Sequence, residues 1–114
     1  MNTQQAYQAG EVGMQRAADK ADRAHPDWTK LARAYLYLHA KKHAEFSGED
    51  AVDAFLEAGY VPPPDQRAFG AMFKKLSREG FISRHPDNKC APRRKGHGTM
   101  TPIWVSNVYG RAGL

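Results

Sequence analysis

The chain has 114 residues, 41% of them apolar and 11% aromatic, with a single cysteine and a formal net charge of +5. A chain of this size can bury one modest core; no apolar run reaches the ~20 residues of a membrane span, and no cationic start leads into an apolar segment, so no signal peptide is expected. One cysteine makes no internal disulfide, which fits a reducing cytoplasm.

Charge is unevenly placed. Residues 1–66 carry seven Lys/Arg against ten Asp/Glu, whereas residues 67–97 carry nine against two. Cation concentrated in one window beside an acidic scaffold is the distribution of a polyanion-binding surface.

Residues 1–24 are polar and alanine-rich. Tyr7, Val12, Met14, Ala17, Ala18 and Ala21 give a weak helical stripe interrupted by Gly10 and Gly13, so a helix over about 11–24 is expected, frayed at its start. Packing on the core, pairing with a second subunit and remaining mobile are all open to it. A core helix over about 26–44 follows. Pro26 suits its first position, and Trp28, Leu31, Ala32, Tyr35, Leu38 and His39 recur at three- and four-residue spacing. Lys41, Lys42 and His43 complement the carbonyl end of its dipole.

Phe46-Ser-Gly-Glu-Asp50 then starts another helix, with Ser47 and Asp50 spaced as a capping box. Val52, Phe55 and Leu56 form its buried face, and Gly59 ends it by accepting a left-handed backbone. The prolines at 62–64 make a turn. From Asp65 a third helix carries Phe69, Met72, Phe73 and Leu76 as a core stripe. Its other face holds Gln66, Arg67, Gly70, Ala71, Lys74, Lys75 and Arg78. Small residues in the middle of that basic face are expected to let the helix approach a groove, while the flanking cations meet phosphate.

Gly80 stops the helix, and Phe81-Ile-Ser83 reads as a strand whose partner is Thr101-Pro-Ile-Trp-Val105, with Ile103 and Val105 on one face and Trp104 on the other. The connection, residues 84–100, is too long for a tight hairpin, and a mobile tip is expected. It carries Arg84, Lys89, Arg93, Arg94 and Lys95 beside His85 and His97. Residues 107–114 are expected to fray.

The run Ser47-Gly-Glu-Asp, Gly59 with its prolines, Arg67-Ala-Phe-Gly-Ala-Met-Phe-Lys-Lys-Leu-Ser-Arg-Glu-Gly-Phe-Ile82 and Thr101-Pro-Ile-Trp104 resembles small winged-helix proteins of bacteriophages and prophages over about residues 26–106. The resemblance implies an α+β, mainly helical fold: a winged helix-turn-helix domain over 25–106, with three core helices and a two-stranded β wing, to which the pattern of residues 1–24 adds an N-terminal helical arm. The ending Gly98-Thr-x-x-Pro-x-Trp104 is also similar to the wing of Z-DNA-binding domains. Their asparagine and tyrosine fall on Gly70 and Lys74 here, so left-handed DNA recognition is not implied, and Trp104 is expected to close the core under the wing.

No catalytic site is legible. His85, Cys90 and His97 lack a fourth ligand and the short paired spacings of structural zinc, so no metal or other cofactor is expected. No phosphate loop, dinucleotide fingerprint or paired carboxylates suggest an enzyme. The expected function is binding of double-stranded DNA, with the helix over about 65–79 in the major groove and the 84–99 loop on the backbone. Gln66, Arg67 and Lys74 then face bases or phosphates; Lys75, Arg78, Arg84, Lys89, Arg93, Arg94, Lys95 and His97 form the remaining cationic surface. Two other readings stand beside it: a protein-binding module acting on a host nucleic-acid enzyme, and RNA binding. The N-terminal pattern has no sustained heptad, which favours a monomer or weak homodimer.

Overall fold

The computed structural model describes residues 3–93 and 100–110, with residues 3–11 as backbone only. Helix α1 spans Thr3–Ala24, α2 Trp28–Lys42, α3 Gly48–Glu57 and α4 Arg67–Arg78. Four short strands accompany them: β1 (Glu45–Ser47), β2 (Ile82–Arg84), β3 (Cys90–Pro92) and β4 (Met100–Ser106). The architecture is α+β, four helices around a small antiparallel sheet in which β4 lies between β1 and β2.

Helix α1 is part of the core. Ala17, Ala18 and Ala21 are fully buried, and side chains this small let α1 lie close against its neighbours. Helix α2 starts later than the proline pattern predicts, because Asp27 adopts a left-handed backbone (φ 67°) and closes a turn with Pro26 inside it. One free amide of α2 is served from α1: the Asp22 carboxylate accepts from Thr29 N at 2.8 Å and Thr29 Oγ1 at 2.7 Å, while Trp28 N donates to His25 O in the turn. The buried face of α2 is Trp28, Ala32, Leu36 and Ala40, a strict four-residue repeat. Leu31 and Leu38, expected inside, are 50% and 41% exposed; they lie one turn-fraction off that row and face outward.

Helix α3 begins as its capping signal predicts, Ser47 Oγ accepting from Asp50 N at 3.0 Å. Gly59 (φ 94°) ends it in the left-handed region. The core gathers on Trp28, which meets Phe69 and Phe55 edge-on at centroid distances of 5.3 and 5.9 Å. Its indole nitrogen donates to Val61 O at 2.8 Å and so fastens the proline turn before α4. His39 lies against the same core, with its ring edge-on to Phe46 at 5.0 Å and stacked on His43 at 4.1 Å. Burial first, then the charge of His43, holds its pKa down at about 4.

The sheet is larger than the two strands expected. β1, read from sequence as the approach to α3, pairs with β4 (Phe46 opposite Trp104). β2 pairs with the other edge of β4, Arg84 opposite Trp104, and β3 continues along that edge with Cys90 opposite Pro102. Ile103 joins the two: its carbonyl accepts from His85 N and its amide donates to Lys89 O, both at 3.1 Å. Between them the chain bulges through a turn in which Asn88 has φ 51°. Much of the connection expected as loop is therefore bound to β4. The chain after β4 is also tied down. Val108 is buried, Asn107 Nδ2 donates to Gly80 O and Ser83 Oγ at 3.0 and 2.9 Å, and Gly110 N donates to Lys41 O. Fraying was expected from 107, but these bonds hold the chain through Gly110.

Candidate nucleic-acid interface

All four predicted stripe residues of α4, with Ala68, are buried, which turns Arg67, Gly70, Ala71, Lys74 and Arg78 toward the opposite arc. That arc is not open along its length. Met14 of α1 lies directly over Gly70: a Cβ at Gly70 would stand 2.6 Å from Met14 Sδ, and one at Gly13 would stand 2.9 Å from an Arg67 guanidinium nitrogen. Beside this crossing is a shallow cleft of about 280 Å³ bounded by Val12, Gln15, Ala71, Lys74 and Arg78. The small residues read as admitting a nucleic-acid groove instead admit a second helix, since glycine lets two helix backbones approach where any side chain would hold them apart.

Toward β4 the same crossing borders a groove of about 650 Å³ between the start of α3, α4 and β4, to whose lining Met14 and Gly70 also belong. Five predicted residues converge on it: Gln66, Arg67 and Lys74 from α4, Arg84 from β2, and Arg93 just beyond β3. Phe69, Phe73 and Trp104 line its apolar side. The Trp104 and Phe73 rings stack at 5.8 Å with 15° between their planes. The Arg84 guanidinium lies 5.5 Å from the indole on a cation–π contact. Trp104 is 8% exposed and closes the core, as expected. Its buried indole N–H has no hydrogen-bond partner among the described residues, a state that costs about 1–3 kcal/mol.

The start of α3 forms the opposite wall. Glu49 N donates to Thr101 Oγ1 of β4 at 3.2 Å, and a Cβ at Gly48 would stand only 3.1 Å from that same oxygen. Glycine at 48 is what lets α3 and β4 approach closely. The amides of Glu49 and Asp50 are thus already satisfied by Thr101 and Ser47, so attraction of an anion to this groove rests on its arginines and lysine rather than on helix amides.

Arg67, one of the groove cations, is already ion-paired, and the other predicted cations lie elsewhere. Arg67 is engaged by Asp65, whose carboxylate accepts from Arg67 Nη2 at 2.7 Å and from its backbone amide at 3.0 Å; these bonds lower the Asp65 pKa to about 2. Lys75 faces a separate cleft with Lys30 and Arg33, where Arg33 donates to both carboxylate oxygens of Glu79 through Nε and Nη2. Arg78 borders the α1 side. Lys89 Nζ lies 3.9 Å from Glu45, and the His85 imidazole 3.8 Å from the same carboxylate. Arg94, Lys95 and His97 lie outside the described residues.

Sequence reasoning did not place Met14 over α4, or Glu49 and Thr101 in the groove wall. The one available signal for Met14 was Gly70 in mid-helix, which marks a close approach without saying of what. Among the described residues no three His, Cys, Asp or Glu side chains group as metal ligands, and no helix is long and apolar enough to cross a membrane. Comparison with protein-family profiles, with curated proteins and with solved structures found no match.

Proposed function

We propose that the protein binds double-stranded DNA as a winged helix-turn-helix domain. In this reading α2, β1, α3, α4, β2 and β4 form the domain, α4 is its recognition helix, and the β2–β4 connection is its wing. The observation that carries the reading is the groove: Arg67, Lys74, Arg84 and Arg93, from three separate elements, meet on one concave surface. A DNA backbone following that surface exchanges its condensed counterions for protein cations, which favours binding by ion release. Lys75, Arg78 and Lys89 add positive charge outside the groove, and Arg94, Lys95 and His97 belong by sequence to the connection read as the wing. Deep entry of α4 into the major groove requires the middle of α1, at Met14, to move off Gly70; contact through the groove and wing does not.

The test is a fluorescence-anisotropy titration of a random-sequence duplex at about 50 and 200 mM salt. Binding should weaken steeply with salt, and replacing Arg93, Arg94 and Lys95 together with alanine should lower the log–log salt slope by about 3. An unchanged slope removes the wing from the interface, and no binding at the lower salt overturns the DNA reading.

One observation favours a second reading. The outer face of α4 already receives a helix, Met14 seated on Gly70, so this face suits protein as well as nucleic acid. A protein-binding module acting on a nucleic-acid enzyme would bind its partner where duplex binding failed.

A further inference from the structure

We propose that the outer face of α2 is a self-association surface, on which two copies of the chain pair with their α2 helices antiparallel. The buried row of α2, Trp28, Ala32, Leu36 and Ala40, is accompanied by a second apolar row that the fold leaves uncovered. Leu31, Tyr35 and Leu38 follow one another at four- and three-residue spacing, which sets them on one ridge of the helix. Leu31 and Leu38 are 50% and 41% exposed, and Ala34 between them is exposed as well. The turn after α3 widens this face. The Tyr60 ring packs edge-on against Tyr35 at 5.3 Å, and the next residue, Val61, whose carbonyl takes the Trp28 indole bond, is 46% exposed. Of the seven large apolar side chains that stand in water among the described residues, Leu31, Leu38, Tyr60 and Val61 supply four. Scattered singly they would mean nothing; gathered on one face they mark a contact surface.

A second copy is the occupant because the row is its own complement. In a two-fold pair residue i meets j and j meets i. Turning α2 about the midpoint between Ala34 and Tyr35 exchanges Leu31 with Leu38, each about 5 Å from that point along the axis. The same operation exchanges Asp27 with Lys42, the residues at the two ends of α2, each about 11 Å away. Both are exposed, so a carboxylate meets an ammonium group at either end of the seam. A parallel pair would instead set Lys42 against Lys42 and Asp27 against Asp27, and like charges disfavour it. Ala34 lies where the helices cross, and a side chain this small lets them approach closely. Lys30 and Lys41 fall on the flank of the row away from Tyr35, at the rim, where charges contribute little. None of these residues lines the groove beside α4, so the pairing leaves that groove open and stands whether or not the protein binds DNA.

One helix pair with its rim makes a small interface, so dissociation is expected at about 10–100 μM. The experiment is sedimentation equilibrium of the full chain at about 5 to 500 μM, with a reducing agent to keep Cys90 from cross-linking. The average mass should rise with concentration from 12.7 kDa toward twice that value. A mass of 12.7 kDa throughout overturns the proposal, and a mass that passes twice that value overturns the closed two-fold pair. Leu38→Glu sets a charge in the seam and should keep the protein monomeric across the range, with an unchanged circular-dichroism spectrum because the position is open in the single chain. Ala34→Glu, at an exposed helical position where glutamate is well tolerated, should do the same and decides the matter if Leu38→Glu unfolds. A dimer that survives either folded variant overturns the surface. Orientation is read from Lys42→Glu, which opposes Asp27 with a second carboxylate: the dissociation constant should rise about fivefold. An unchanged constant overturns the antiparallel pairing.

Discussion

The two flanks of α4 are built from the same basic stretch of sequence and have different fates. On one, Gly70 and Ala71 lie beneath or beside Met14 and the arc is occupied by α1. On the other, Gln66, Arg67 and Lys74 share an open groove with Arg84 and Arg93, lined in part by the edges of the largely buried Phe69, Phe73 and Trp104. Helical periodicity separates the buried side of α4 from its outward side but says nothing about what lies over the outward side. A basic, small-residue helix face therefore has two possible companions, a polyanion or another helix, and here the two divide it.

The largest effect on this contrast should come from loosening α1. Ala18→Asp sets a carboxylate in a site that is 1% exposed, at a cost of about 3 kcal/mol or more. A melting temperature lower by at least about 10 °C is expected in a thermal denaturation; an unchanged value would mean that α1 contributes nothing to the fold.

A smaller effect is expected at the junction of the flanks. Asp65→Asn keeps an oxygen to accept from the Arg67 amide but removes the charge that engages its guanidinium. Duplex affinity at low salt should rise about threefold with a salt slope steeper by up to about 1. Weaker binding would show that Asp65 holds Arg67 in its productive position. Met14→Ala should do least. It uncovers Gly70 and shortens one apolar side chain of the groove lining but removes no cation, so duplex affinity should stay within about twofold. A tenfold gain would mean that DNA contacts the covered arc, and the roles of the two flanks would be exchanged.

Features set by neighbours in sequence were legible. The Ser47 cap, the glycine stops at 59 and 80 and the α4 stripe each follow from residues within a turn of one another. The strands at 82–84 and 100–106 were also close to expectation, as was Trp104 under the β2–β4 connection. What depended on distant partners was not. β1 is three residues long and extended only because β4 pairs with it; β3 contains a proline and exists by the same pairing. Asp22 serves α2 from another helix, and Leu31 and Leu38 fit a helical repeat as well as the true core row does. Of the candidate site, the cations Arg67, Lys74, Arg84 and Arg93 were named from charge alone. Their convergence with Phe69, Phe73 and Trp104 was not, because the aromatic residues already had a sufficient role as core.

The start of α3 links two stages of folding. The bond from Asp50 N to Ser47 Oγ closes within three residues and can form as soon as the helix nucleates. The bond from Glu49 N to Thr101 Oγ1 spans 52 residues and exists only after β4 has docked beside β1. Adjacent amides thus report local and global order separately. In native-state hydrogen exchange the Glu49 amide is the one tied to the sheet, so it opens with β4, and the groove wall it helps to build is present only while the sheet is whole.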